Sequence, residues 1–457
     1  MTRVLRQTTR DLRRHNRAAL LSSLYLRGPV SRLELVAESG LSPATVTNVV
    51  AELIGDGVVA EAGSVESDGG RPRTLLRVRP EFGQVVGVDV GETHVRAGLF
   101  DWALGTLATV RHPLAGLDPA QVVELARAGV AEVLAAGGDR VLGVGVGVPG
   151  AVRDGGTVHA PTLGWAGVPF ADLLRARVPL PADTPLHLDN RARTLGQAEM
   201  WRGAGRGVQR TVIALLGVGV GAAFAAGRGT FPGITTTEWG HTVVRAAGAP
   251  CRCGSHGCLE AYVGTEAVIR RYVETPGAAP LAAIDSESRL AEIVALAGGN
   301  EPLAAAIGDG LGPRVATVAG ERDTKVEIAD DGSVGRHSPA AGGNGGTLAE
   351  PDRTTVAERS GPAAQTLAGV GEYLGIGIAN LINLLAPDRV VLAGSAGAIM
   401  GEAILSRVRD AAARHALGYL AEATEVHLGQ LGPEAVALGA ATLPVAALLA
   451  SGGRSAG

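Results

Sequence analysis

Residues 84–101 read Gln84-Val85-Val86-Gly87-Val88-Asp89-Val90-Gly91-Glu92-Thr93-His94-Val95-Arg96-Ala97-Gly98-Leu99-Phe100-Asp101. Valine-rich runs flank a short polar centre, which predicts two strands joined by a tight turn. The turn holds Asp89, Gly91 and Thr93. A carboxylate, a hydroxyl and free backbone N–H groups gathered there are the groups that hold phosphate and Mg²⁺.

Downstream, Val141 to Val148 is another apolar, glycine-spaced strand, ending in Pro149-Gly150. A third runs from Val212 to Ala225 and contains Gly217-Val218-Gly219-Val220-Gly221. Glycines there either let the backbone approach a ligand or let strands pack tightly. Next come His241, Cys251, Cys253 and Cys258, spaced H-x9-C-x-C-x4-C. These are all three cysteines of the chain, so the pattern argues against a disulfide framework and for one local metal site. Thiolates and an imidazole suit tetrahedral Zn²⁺, and a Cys3His set without an open position is structural. It would clamp the loop carrying Glu238 and Glu260. Residues 309–352, rich in Gly, Ala, Pro and charge, read as a surface insertion. After it, Val370 to Leu385 is an apolar helix, and Arg389 to Gly394 is a strand and turn.

Upstream, leucines 20, 21, 24 and 26 recur at helical spacing and Gly28-Pro29 ends that helix. Ser31-Arg32-Leu33-Glu34 is a capping box, and the helix it opens is expected to turn Leu33, Leu35 and Val36 inward. Gly40 supplies a tight turn, Ser42 caps the next helix, and Pro43 takes its first position. Two short helices around such a turn predict a helix-turn-helix whose second helix enters the major groove. The candidate DNA contacts are Ser42, Ala44, Thr45, Thr47 and Asn48, which lie off the apolar stripe of Val46, Val49, Val50 and Leu53. Asn can bond adenine bidentately, and Thr methyls can meet thymine. Val58–Ala60 and Thr74–Val78 read as strands, with residues 67–73 between them as a wing tip offering Arg71 and Arg73.

Charge supports this division. The chain of 457 residues carries a formal charge of -4. Residues 1–80 hold 12 Arg against 8 Asp and Glu, a surplus of 12 − 8 = 4, so the rest carries a deficit of 8. A basic segment on an acidic body fits a nucleic-acid reader joined to something else. No run of 18 or more apolar residues free of charges and no apolar N-terminal signal core are found, which predicts a cytoplasmic protein without membrane contact.

In this order the pieces resemble the ROK family of repressors, open reading frames and kinases, from about Arg13 to Leu443, and the N-terminal module resembles its repressor branch. The most specific match is Glu238-Trp239-Gly240-His241 followed by Cys251 through Glu260. The resemblance implies an α/β fold: a winged helix-turn-helix over residues 1–82, then an actin-like (ribonuclease H-like, sugar-kinase type) two-lobe domain, with lobes at 83–205 and 206–450. It implies a sugar at Gly150, Asn190, Glu238, His241 and Glu260, Zn²⁺ at His241, Cys251, Cys253 and Cys258, a double-stranded DNA operator, a sugar or sugar-derivative effector, and a homodimer or homotetramer.

The departures decide the function. Counting back from Glu199, Asn190 takes the family's Asn position and Arg191 that of the catalytic Asp; a one-residue shift would put Asp189 there instead. A guanidinium stays protonated and cannot accept the sugar hydroxyl proton. Glu92 replaces the second Gly of D-x-G-G-T, and Val218 stands where the family usually has Thr. Thr236-Thr237 replaces the usual Ala-Gly. The expected protein is therefore a sugar-responsive regulator with a kinase-like body that is not an enzyme. The alternative is an ATP-dependent, glucokinase-like sugar kinase carrying a DNA-binding domain.

Overall fold

The computed structural model describes residues 8–67, 70–137, 140–227, 233–298 and 361–454. The insertion expected at 309–352 lies outside the described residues.

The chain opens with α1 (Thr9–Arg27), β1 (Val30–Ser31), α2 (Arg32–Ser39), α3 (Pro43–Gly55), β2 (Val59–Ser67) and β3 (Gly70–Val78). The expected caps form: Ser31 and Glu34 make a reciprocal capping box, and Gly40 ends α2 at φ 65. Ser42 caps α3, with Pro43 at its first turn. Leu20, Leu21, Leu24, Leu35, Val46, Val49, Val50 and Leu53 close a core between the helices. Leu33 departs from the expectation and is 57% exposed, because α2 is only eight residues long and buries a single side, at Leu35. The strands also run further than the sequence suggested. β2 and β3 pair up to Ser67 and Gly70, so Arg71 and Arg73 belong to a strand and not to a loop tip.

β4 (Gln84–Val90) and β5 (His94–Asp101) form the hairpin expected from residues 84–101, paired in register from Gln84–Asp101 to Val90–Val95. They join β6 (Thr106–Pro113), β7 (Val141–Val148) and β11 (Leu186–Asn190) in a five-stranded sheet of order β11-β7-β4-β5-β6. α4 (Pro119–Ala135) and α5 (Phe170–Arg175) cover this lobe, and β8 (Ala151–Arg153), β9 (Thr157–Ala160) and β10 (Trp165–Val168) form a small sheet beside the cleft. α6 (Arg191–Arg202) leads to the second five-stranded sheet, β14-β13-β12-β15-β16, made of β12 (Arg210–Leu216), β13 (Val220–Ala226), β14 (Gly233–Thr237), β15 (Arg389–Ala393) and β16 (Glu425–Leu428). α7 (Glu260–Val263), α8 (Thr265–Glu274), α9 (Ser286–Ala297), α10 (Pro362–Leu385), α11 (Ser395–His415) and α12 (Gly418–Ala423) accompany it.

The final helix, α13 (Ala435–Ala450), returns to the first sheet. A Cβ on Gly87 or Gly145 would fall 1.9 Å or 1.8 Å from the carbonyl oxygens of Ala437 and Ala440. The glycines of β4 and β7 therefore exist to seat this helix. Residues 435–450, counted with the second lobe in the sequence reading, pack on the first. Segments Pro362–Leu385 and Gly432–Ala450 are long and apolar enough to pass for membrane spans by composition, although each carries a glutamate, Glu372 and Glu434, within its apolar window. Both act as core helices here, with 56% and 61% of their apolar windows buried inside the protein.

Candidate functional site

A cleft of about 680 Å³ lies between the two sheets. The turn after β4, the β8–β9 hairpin, the start of α6, the β12–β13 glycine turn, the end of β14 and the cysteine loop all reach it. Gly150, Asn190, Glu238, His241 and Glu260, the five sequence-predicted sugar contacts, all line this cleft, as do Thr236 and Thr237. Glu238 is exposed and Glu260 is buried. Asn190 is also the N-cap of α6: its carbonyl accepts from the Ala192 N–H at 2.8 Å, and its amide donates to the Gly150 carbonyl at 2.7 Å. One side chain thus fixes the start of α6 against the loop after β7. Gly150 has φ +76, and a Cβ there would meet the His159 carbonyl oxygen at 2.2 Å, so the loop admits only glycine.

The side chain at the expected position of a proton acceptor is Arg191. Its Nε donates to Asp89 Oδ1 at 2.6 Å and its second nitrogen to Oδ2 at 3.1 Å. Asp89 is 1% exposed. Burial disfavours the Arg191 charge, but Asp89 more than offsets it and the guanidinium titrates above its ordinary range. Asp189, the alternative candidate, does not line the cleft; it accepts from the Asn190 N–H and pairs with Arg193 at 3.3 Å. The carboxylate that could have held Mg²⁺ is therefore consumed by an internal cation.

Glu92 and Glu260 meet the same partner, Arg252, which the sequence reading missed. Arg252 Nε donates to Glu260 Oε1 at 2.7 Å, while its terminal nitrogens reach Glu260 Oε2 at 3.3 Å and Glu92 Oε1 at 3.0 Å. The Val220 N–H adds a bond of 2.9 Å to Glu260. These pairs hold the Arg252 charge well above its ordinary range despite burial. Gly219 lies beneath: a Cβ there would be 2.7 Å from Arg252 and 2.9 Å from Glu92. Gly219 thus faces the cleft, where Arg252 and Glu92 take the space a side chain would need.

A second charged group joins the lobes behind the cleft. Arg96 and Arg111, on β5 and β6, both reach Glu287 on α9, at 2.8 and 3.0 Å. Buried His94 sits among them, and desolvation with the neighbouring Arg111 lowers its pKa to about 4.

His241, Cys251, Cys253 and Cys258 converge with every ligand atom within 4.8 Å of the others. His241 Nδ1 lies 3.6 Å from Cys251 Sγ, and Cys253 Sγ 3.8 Å from Cys258 Sγ. A tetrahedral zinc with S and N bonds of usual length would separate these atoms by about 3.6 and about 3.8 Å. The donor set therefore fits Zn²⁺. Desolvation pushes the Cys251 thiol up to about 12 when no cation balances its charge. With Nδ1 facing the thiols, the other ring nitrogen of His241 is left for the cleft.

In the N-terminal module, Ser42, Ala44, Thr47 and Asn48 are exposed on α3 and Thr45 is half-buried. Ser42 and Thr45 bond each other at 2.9 Å, and the Thr47 hydroxyl donates back to the Pro43 carbonyl at 2.8 Å. Arg73 is exposed on β3; the side chain of Arg71 lies outside the described residues.

A family profile described as ROK family matches residues 85–322 and 345–446. A putative xylose repressor of Caldicellulosiruptor sp. (strain Rt8B.4) is 27% identical over 444 residues, covering 95% of this chain and 96% of its own. A glucokinase of Halalkalibacterium halodurans is 26% identical over 364 residues, covering 78% of this chain and 92% of its own. Among solved structures, a ROK family transcriptional regulator, homolog of the E. coli MLC protein, superposes with a TM-score of 0.64 at 21% identity, over 97% of this chain and 98% of that one.

Proposed function

This chain belongs to the ROK family, and we propose that it is a sugar-responsive transcriptional repressor of carbohydrate-utilisation genes. The observation that carries the proposal is the Arg191–Asp89 ion pair inside a cleft that keeps Glu238, His241 and Glu260. Proton abstraction needs a base within reach of the sugar hydroxyl, and phosphoryl transfer needs a carboxylate free for the metal. Here one residue removes the first and occupies the second. Glu92, in place of glycine, adds a carboxylate where phosphate would lie. What stays is a polar cleft suited to hydroxyl groups.

The first 82 residues supply the other half. Their helices, caps and antiparallel ribbon support a winged helix-turn-helix, with α3 as reading helix and Ser42, Ala44, Thr45, Thr47 and Asn48 toward the bases. Arg71 and Arg73 would meet the backbone or a narrow minor groove. The named repressor relative spans this module, whereas the glucokinase match covers 78% of the chain. Zn²⁺ held by His241, Cys251, Cys253 and Cys258 is structural: four protein donors leave no open position, and the ion would fix the loop bearing Arg252 and orient His241 toward the sugar. A homodimer or homotetramer would present two reading helices to a palindromic operator.

Calorimetry with D-xylose, D-glucose and N-acetyl-D-glucosamine, alongside operator binding with and without each sugar, tests the proposal. A sugar that binds and changes operator affinity is the expected result. A sugar that binds without changing it refutes the regulatory reading. ATP-dependent turnover of any of these sugars at ordinary enzyme rates would establish the kinase alternative instead.

A further inference from the structure

We propose that Glu92 and Arg252 form a clasp closing the phosphate end of the cleft, so that the site accepts an uncharged sugar and refuses its phosphate ester. The inference rests on the sugar-sensing reading above and names what that site discriminates.

The two residues belong to opposite lobes. Glu92 sits in the turn between β4 and β5, and Arg252 lies between two of the cysteines that follow β14. They meet directly over Gly219, where the missing side chain leaves room for the guanidinium and the carboxylate. In a cleft whose lining includes both, this pair fills the space beside the glycine turn. Charge works in the same direction. Asp89 is neutralised by Arg191. Arg252 pairs with both Glu92 and Glu260, so neither it nor Arg191 is left without a carboxylate. A phosphate dianion would have to displace the clasp and then lie against carboxylates, whereas sugar hydroxyls can donate to them. Arg252 also links the sugar-facing carboxylate of Glu260 to the opposite lobe, so the contact that shapes the pocket ties the lobes together.

The test compares the full-length protein with Glu92→Gly and Arg252→Ala variants whose folding is checked by melting. Calorimetry is run with D-glucose and N-acetyl-D-glucosamine and with the 6-phosphate of each. The wild-type protein should bind the parent sugar at least tenfold more tightly than its phosphate. Glu92→Gly should narrow that gap by about tenfold, equivalent to about 1.4 kcal/mol. Equal binding of sugar and phosphate by the wild type, or a gap unmoved by Glu92→Gly, overturns the proposal. If the wild type binds none of these compounds and D-xylose does not bind either, the sugar-sensing reading falls. The clasp is then judged in ligand-free protein by small-angle scattering: both variants should open, with a larger radius of gyration, and unchanged dimensions refute it.

Discussion

Removing the Arg191 side chain should destabilise this protein far more than it impairs any chemistry. Asp89 is 1% exposed, and Arg191 donates to both of its oxygens. Arg191→Ala leaves that carboxylate buried without a cation, which typically costs about 3–5 kcal/mol. Arg191→Asp, which restores the residue kinases use, sets a second carboxylate beside the first and should cost at least as much. Reversion at this position therefore does not return a kinase. The double variant Asp89→Asn/Arg191→Ala removes both charges and should recover most of the loss. Urea unfolding followed by circular dichroism measures wild type, both Arg191 variants, Asp89→Asn and the double variant, and a double-mutant cycle over Arg191→Ala and Asp89→Asn extracts the coupling. Arg191→Ala within about 1 kcal/mol of wild type, below the range expected for a broken buried pair, would refute the reasoning. So would a double variant whose loss equals the sum of the single ones.

Other perturbations probe three separate parts. Asn48→Ala should weaken binding to the cognate operator by about 1–3 kcal/mol and relax preference at one base pair, whereas Arg73→Ala should weaken all sequences alike and lower the salt slope by about 1, as gel-shift titrations would show. Cys253→Ser should abolish stoichiometric zinc, read by elemental analysis, because the set of four donors loses one of its thiolates; full zinc content in that variant would count against the site. His94 has a folded pKa of about 4, below its ordinary 6.5. Between those values the unfolded chain binds the extra proton, so stability should fall as pH drops from 6.5 to 4, by roughly 3 kcal/mol. His94→Gln should flatten that part of the pH–stability curve.

Local signals were legible in the sequence, and long-range pairings were not. The capping box of Ser31 and Glu34, the Ser42 cap and the β4–β5 hairpin each depend on neighbours a few residues away, and all form. The convergence of His241 with the cysteines was legible because three of the four residues fall within eight positions and share one chemistry. Leu33 was misread because an apolar residue in a capped helix is usually buried, and only the packing of a short helix shows otherwise. Arg252 was missed because its second partner, Glu92, lies 160 residues away. Arg191 was noticed as a missing base, but its use as the counter-charge of Asp89 follows from the approach of α6 to β4, which no local pattern encodes. The close fit of Gly87 and Gly145 against α13 was likewise not legible, because that helix, Ala435–Ala450, lies near the far end of the chain.

The replaced residue also lies at one end of a path between the two functions. Arg191 is the first residue of α6, whose 12 residues span about 18 Å. Near the far end, Trp201 packs edge-on against Tyr25 of α1, with ring centroids 5.8 Å apart. Tyr25 in turn packs against Trp102, 5.2 Å away, and donates to the Trp102 carbonyl at 2.7 Å. α13 runs alongside α6, and the turn after it holds α1 through Arg17, whose Nε donates to the Gly452 carbonyl at 2.6 Å. Arg17 also pairs with Asp56 at the end of α3. Packed side chains thus connect the start of α6 to α1 and the end of α3, so a displacement of α6 would have a route to α3. For that displacement to regulate, the ligand must bind two positions of α6 with different affinity, and about 1–3 kcal/mol of difference suffices.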